Sequence, residues 1–262
     1  MKKYLFILFA LFIVFPLVAH AENMIIGPIL WNGPKPAKLP PKIVEHQGVC
    51  GSKRSSNIVF LSGTKLLGTV EWLTPEGKNT LGKVKDADRM TYIISQKNCE
   101  FSPQILVVPA GAYVEVVNDD KRDNWLIIEA QGMDKQQALH GVAQKPIKFQ
   151  VLEPDVIKIS SGFYEWMRGW IIAVDRRFWT DSAKDGFFEF RNVPKGKYIL
   201  HVWHPILGEK TLPVKVGNDQ VINLSVAYDM PKEKPVPIID ATILTRSEEA
   251  RDQAYSEDPF KK

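Results

Sequence analysis

The chain has 262 residues, 45% of them hydrophobic and 24% charged, with 34 Lys and Arg against 30 Asp and Glu. This is the composition of a globular protein with room for a sizeable core, and it excludes fibrous and intrinsically disordered classes. Two of the basic residues, Lys2 and Lys3, fall in a segment expected to be cleaved, so the mature charge is close to balance and no nucleic-acid partner is expected.

Residues 1–21 have the form of a secretory signal peptide. Lys2 and Lys3 make the positive start, Tyr4 to Val18 the apolar stretch, and Ala19-His20-Ala21 the cleavage site. The apolar stretch is shorter than the roughly 20 residues a membrane anchor needs, so a periplasmic or secreted protein that does not span the membrane is expected. In an oxidising compartment Cys50 and Cys99, the only two cysteines, are expected to pair as a structural disulfide. The alternatives are a metal thiolate or a redox pair, whose usual C-x-x-C spacing is lacking.

Residues 22–45 read as a Pro-rich lead-in. Pro28, Pro34, Pro36, Pro40 and Pro41 argue against a helix or a central strand and for extended, polyproline-like chain. Strands are then expected at Asn57–Leu61 and Leu66–Trp72 around Ser62-Gly63-Thr64, and at Arg89–Ser95, Ile105–Val108 and Ala112–Val117. Further strands are expected at Asn124–Ile128, Ile147–Val151, Val156–Ser160, Gly169–Val174, Phe187–Phe190, Lys197–Trp203, Lys210–Val216 and Val221–Ala227. Only Asp134–Gly141 and Ser247–Tyr255 look helical. A dozen short strands imply an all-β sandwich or barrel. The tail past residue 229 is Pro- and charge-rich, and is expected to be mobile or docked on a partner.

Two stretches carry a resemblance. The first runs Gly48-Val-Cys-Gly51, Asn98-Cys-Glu-Phe-Ser-Pro103, Ile105-Leu-Val-Val-Pro-Ala-Gly111 and Glu115-Val-Val-Asn-Asp-Asp120. It resembles exported cupredoxin-like proteins of the plastocyanin-like or methylamine-utilisation type. The second runs Trp166-Met-Arg-Gly-Trp170, Asp185-Gly-Phe-Phe-Glu-Phe-Arg-Asn-Val-Pro-Lys-Gly-Lys-Tyr198 and Val202-Trp-His204. It resembles the end of that unit followed by a carboxypeptidase-regulatory-like segment. The resemblance implies a cupredoxin-like Greek-key β-sandwich over 46–175, continuing into a small regulatory-like β-sandwich segment over 176–228.

In that family a type 1 copper would be held by His, Cys, His and Met. Here those positions fall on Asn124, Ser161, Tyr164 and Met167. A hydroxyl is no thiolate, a phenol ionises only near pH 10, and one thioether does not hold copper. The resemblance therefore implies a fold kept and a copper site lost, with no cofactor.

No other residues rebuild a site. His201 and His204 point to opposite faces of one strand and cannot share an ion. His204 shares a face with Tyr198, Leu200 and Val202, as a core or turn-satisfying histidine would. His201 is expected on a half-exposed surface. His46 and His140 have no sequence partner, and Asp119, Asp120 and Asp123 have the form of a solvated loop. Asp181 and Asp185 frame a turn, and Ser160-Ser161-Gly162 lacks the context of a nucleophile elbow. No enzyme is expected.

Phe163, Tyr164, Trp166, Arg168 and Trp170 cluster where the copper loop would lie, with Phe178 and Trp179 soon after. They either fill the former metal pocket or form a patch for a protein partner. The function expected is that of a non-catalytic binding or assembly module, its partner another envelope protein. The alternative is a copper-binding electron-transfer or copper-handling protein with an altered site.

Overall fold

The computed structural model describes residues 23–34, 42–43, 47–51, 53–54, 60–77, 84–131, 133–175, 178–182 and 185–229. The expected signal peptide, His46, the expected helix at Ser247–Tyr255 and the tail lie outside these residues. The chain is all-β, as its strand pattern implied. One 3-10 turn, Ala87–Arg89, and one four-residue helix, Gln47–Cys50, are the only helices among the described residues.

One sandwich is built from residues 91–174. Its first sheet has the order Ile147–Gln150, Tyr113–Asn118, Thr91–Lys97, Glu100–Ser102. Its second has the order Met133–His140, Asn124–Ala130, Asp155–Ser161, Arg168–Val174, Ile105–Pro109. Strict alternation makes the core: along Tyr113–Asn118 the inward residues are Val114, Val116 and Asn118. They meet Leu126, Ile128, Ile157, Ile159 and Ile171 from the facing sheet. The expected disulfide Cys50–Cys99 is present, with Cα atoms 5.0 Å apart and both cysteines buried in this core.

Cys99 sits in a two-residue hairpin loop in which Asn98 and Cys99 both have positive φ, 54° and 58°. That is the type I′ geometry favoured between twisted strands, where Asn is at home and Cys is not. Asp120 supports the turn, its two carboxylate oxygens accepting the Cys99 N–H at 3.2 and 3.0 Å. Asp119 accepts the Ser95 hydroxyl and Asp123 the Val142 N–H in exposed bonds, so the solvated loop expected here also braces its neighbours, with Asp120 alone of the three buried.

A second sandwich gathers both ends of the described chain. Met24–Asn32 pairs antiparallel with Phe187–Arg191, and parallel with Val221–Asn223 and then Val226–Asp229. The facing sheet has the order Trp179–Asp181, Val70–Pro75, Gly196–His204, Gly208–Val216. Ile25, Ile29, Phe188, Phe190, Tyr198, Leu200 and Val202 fill the space between. Val70, Trp72 and Trp203 of this sandwich meet Val107, Ile172, Val174 and Trp170 of the other, so the two share an apolar contact.

Several expectations need correction. The lead-in holds a nine-residue strand with neighbours on both sides. Pro28 is tolerated because it falls where neither parallel partner reaches, between the registers of residues 24–26 and 29–32. Gly27 is required there, since a Cβ would lie 1.5 Å from the Leu224 carbonyl oxygen. The pairings also place residues 24–32, 61–66 and 70–75 with 178–229, not with the lead-in or the first sandwich.

The expected helix at Asp134–Gly141 is the strand Met133–His140, hairpinned onto Asn124–Ala130. Pairing overrides the helix propensity of Lys-Gln-Gln-Ala-Leu. The expected strand Leu66–Trp72 breaks at Gly68, whose φ is +78°, and Val221–Ala227 is two strands rather than one.

Candidate functional site

Asn124, Ser161 and Met167, drawn from two strands and a loop, converge at one end of the first sandwich and are all buried. Ser161 and Asn124 lie on neighbouring antiparallel strands in which Leu126 faces Ser161. The loop Gly162–Met167 returns so that Ser161 N–H bonds the Met167 carbonyl at 3.0 Å and Met167 N–H the Tyr164 carbonyl at 3.0 Å.

The hydrogen bonds form one directed chain. Backbone N–H groups of Phe163 and Tyr164 donate to Ser161 Oγ, each at 3.0 Å. The Ser161 hydroxyl donates to Asn124 Oδ1 in a short bond. Asn124 Nδ2 donates to Gln96 Oε1, also in a short bond, and to Met167 Sδ at 3.7 Å. Gln96 Nε2, which can only donate, reaches His140 Nδ1 at 2.7 Å. The imidazole is therefore the neutral Nε2–H tautomer. That Nε2 is buried with no hydrogen-bond partner. Burial holds the His140 pKa below the ordinary imidazole value.

This donor set does not fit a type 1 copper. The Ser161, Asn124 and Gln96 oxygens are already acceptors, the one imidazole points its lone pair at an amide, and the only sulfur is a thioether. Both Cys sulfurs are joined in the disulfide. Tyr164 contributes its backbone N–H, and its buried ring lies 5.1 Å from Trp166. No group of three His, Cys, Asp or Glu able to hold a metal ion occurs among the described residues.

The aromatic cluster does not form one surface. Tyr164 is buried, Phe163 and Trp166 pack on the first core, and the Trp166 indole N–H donates to the Cys99 carbonyl at 3.1 Å. Trp170 turns to the other side, edge-on to Trp203 at 6.2 Å between the sandwiches. Arg168 is exposed and donates to the Glu165 carbonyl. Phe178 is buried, and Trp179 is the exposed member.

His204 has the turn-satisfying role expected of it: Nδ1 accepts Ile206 and Leu207 N–H at 3.2 Å, and burial lowers its pKa to about 4. Asp185 caps its turn by accepting the Phe187 N–H.

Sequence reasoning missed Gln96 and Glu71, although strand parity marks both. Gln96 shares an inward face with Ile94 and Glu71 with Leu73, so each is a polar residue at a core position. Glu71 Oε1 accepts hydroxyls of Thr69 at 2.6 Å and Ser182 at 2.9 Å, while Oε2 has no partner. Burial, and then Asp181 nearby, push its pKa up to about 8 against the pull of the two hydroxyls.

No family model and no curated protein matches the chain. It is similar over part of its length to solved structures. A Cu-containing nitrite reductase from Thermus scotoductus SA-01 is 18% identical, covering 34% of this chain and 23% of that one at a TM-score of 0.29. The chain thus spans about a quarter of that protein's length. A pseudoazurin from Sinorhizobium meliltoi is 17% identical, covering 33% and 76% at 0.29. A reduced amicyanin variant is 14% identical, covering 39% and 98% at 0.30. Likeness of this size carries no functional weight, and the site is defined by the chain's own residues.

Proposed function

We propose that the protein is an exported, non-catalytic binding or assembly module, cupredoxin-like in its first sandwich and regulatory-like in residues 176–228. On this reading its type 1 copper site has been replaced by a polar network, and its partner is another envelope protein. The observation that carries it is the convergence of Asn124, Ser161 and Met167. The motif's ligand positions meet in space, as ligand positions must, yet they saturate one another instead of leaving lone pairs for a metal. Fold alone does not give function, so the binding role rests on this loss of metal chemistry together with the resemblance.

The test is metal analysis and a visible spectrum of the purified full chain, then of the triple variant Asn124→His, Ser161→Cys, Tyr164→His. The unmodified protein is expected to be colourless, and the variant to gain a thiolate-to-copper absorption with Cu(II). Stoichiometric copper held by the unmodified protein overturns the reading.

A further inference from the structure

We propose that Thr74, His201 and Glu209 form an acyl-acceptor site on the second sandwich, in which Thr74 is the reactive hydroxyl and activated carboxylic esters are the substrate class. This goes beyond the proposed function and does not depend on it, since no residue is shared with the Asn124 network. It describes covalent attachment of one acyl group, not turnover.

The three residues lie on adjacent antiparallel strands, Val70–Pro75, Gly196–His204 and Gly208–Val216. Thr74 Oγ1 is 2.7 Å from His201 Nε2, and His201 Nδ1 is 2.5 Å from Glu209 Oε1. A carboxylate only accepts, so Glu209 fixes the proton on Nδ1 and leaves Nε2 as the acceptor of the Thr74 hydroxyl proton. The order hydroxyl, imidazole, carboxylate is the arrangement by which an alcohol is activated as a nucleophile.

The ring is held a third way. His201 stacks on Trp72, its direct cross-strand neighbour, at 4.9 Å and 5° between planes. That leaves the imidazole little freedom to turn away from Thr74. Access is retained: the side chains of His201 and Glu209 are 19% and 42% exposed, and Thr74 is half-buried.

The step balances without a co-reactant. Thr74 Oγ1 bonds to the ester carbonyl carbon as its proton passes to His201 Nε2. The bond from that carbon to the leaving oxygen breaks with its electron pair on the oxygen. The imidazolium then returns the proton to the leaving group or to water. Glu209 never touches the ester; it acts through His201 and is a positioning residue.

The experiment incubates the full chain with p-nitrophenyl acetate, follows p-nitrophenolate release and maps acetyl groups by peptide mass. One acetyl on Thr74 is expected. Thr74→Val, nearly the same shape without the hydroxyl, should lose it, and His201→Gln should slow it about a hundredfold or more. Glu209→Gln should slow it less, and Glu209→Asp, which keeps the carboxylate, should restore most of the rate, a rescue that loss of a merely structural contact would not show. Thr74→Ser supplies a less hindered hydroxyl and should label at least as fast, which keeps the test valid if His201→Gln does not fold. Acetylation confined to lysines, or labelling at position 74 that survives His201→Gln unchanged, overturns the proposal.

Discussion

Each sandwich buries polar groups in its core, and the two do so in opposite ways. The first buries Gln96, Asn124 and Ser161, neutral groups whose hydrogen bonds run donor to acceptor toward a neutral His140. The second buries a carboxyl, Glu71, that satisfies only one of its oxygens. A neutral network in a dry core resists breakage but has little to titrate, whereas a buried acid ties stability to pH. The contrast makes the second sandwich the half whose stability falls as pH rises, because only there, among the described residues, is a carboxyl held above its ordinary pKa by burial.

The largest expected effect tests that statement. Glu71 titrates near 4.5 when unfolded and about 8 when folded, so the unfolded state releases its proton first and stability falls as pH rises from 4.5 to 8. His204 runs the other way: 6.5 unfolded against about 4 folded, so stability falls as pH drops from 6.5 to 4. Between 4.5 and 6.5 these two slopes cancel, and His140, whose pKa burial also lowers, leaves a net gain in stability as pH rises toward 6.5. Above 6.5 the protein should lose about 1.4 kcal/mol per pH unit until near pH 8. Glu71→Gln should abolish that loss, leaving stability that rises with pH to 6.5 and then stays level. The variant's advantage should reach the order of 4 kcal/mol at high pH. Denaturant titrations from pH 4 to 9 check it; parallel curves for the two proteins would remove the role given to Glu71.

A smaller effect sharpens the other side of the contrast. Ser161→Ala leaves the Phe163 and Tyr164 N–H groups and Asn124 Oδ1 without their partner. The cost should be about 2 kcal/mol, and it should be the same at pH 5 and pH 8 because no titrating group is lost. A pH-dependent cost would mean that the network carries a charge. The smallest effect concerns the aromatic cluster. Trp166→Phe keeps the ring packing but deletes the bond to the Cys99 carbonyl, and should cost about 1 kcal/mol by thermal or chemical unfolding. No loss of stability would return Trp166 to the candidates for a partner surface.

Much of the candidate site was legible before any fold was known. Aligning motif to chain named Asn124, Ser161 and Met167, and the three do meet. Gln96 and His140 were not recognised as their partners for two different reasons. Gln96 is a polar residue on an apolar face, a signal that strand parity contains but that points to no chemistry by itself. His140 was hidden by the helical propensity of Lys135–Leu139, which the hairpin with Asn124–Ala130 overrides. Thr74, His201 and Glu209 lie on three strands, and no local spacing relates them.

By itself the sequence determined that this is a β-protein, where most strands lie and which residues face inward, because side-chain alternation is local and needs no partner to be read. It also determined the two cysteines that pair and the absence of a thiolate at Ser161. Only the tertiary structure decided that Met24–Asn32 is an inner strand despite Pro28. Whether a missing N–H matters depends on what lies opposite it, and there the opposing strands happen to break. The same holds for Glu71: its raised pKa comes first from burial, and that burial is completed by other strands, with Val202 its direct cross-strand partner. Pairing and burial join residues far apart along the chain, and no local pattern encodes them.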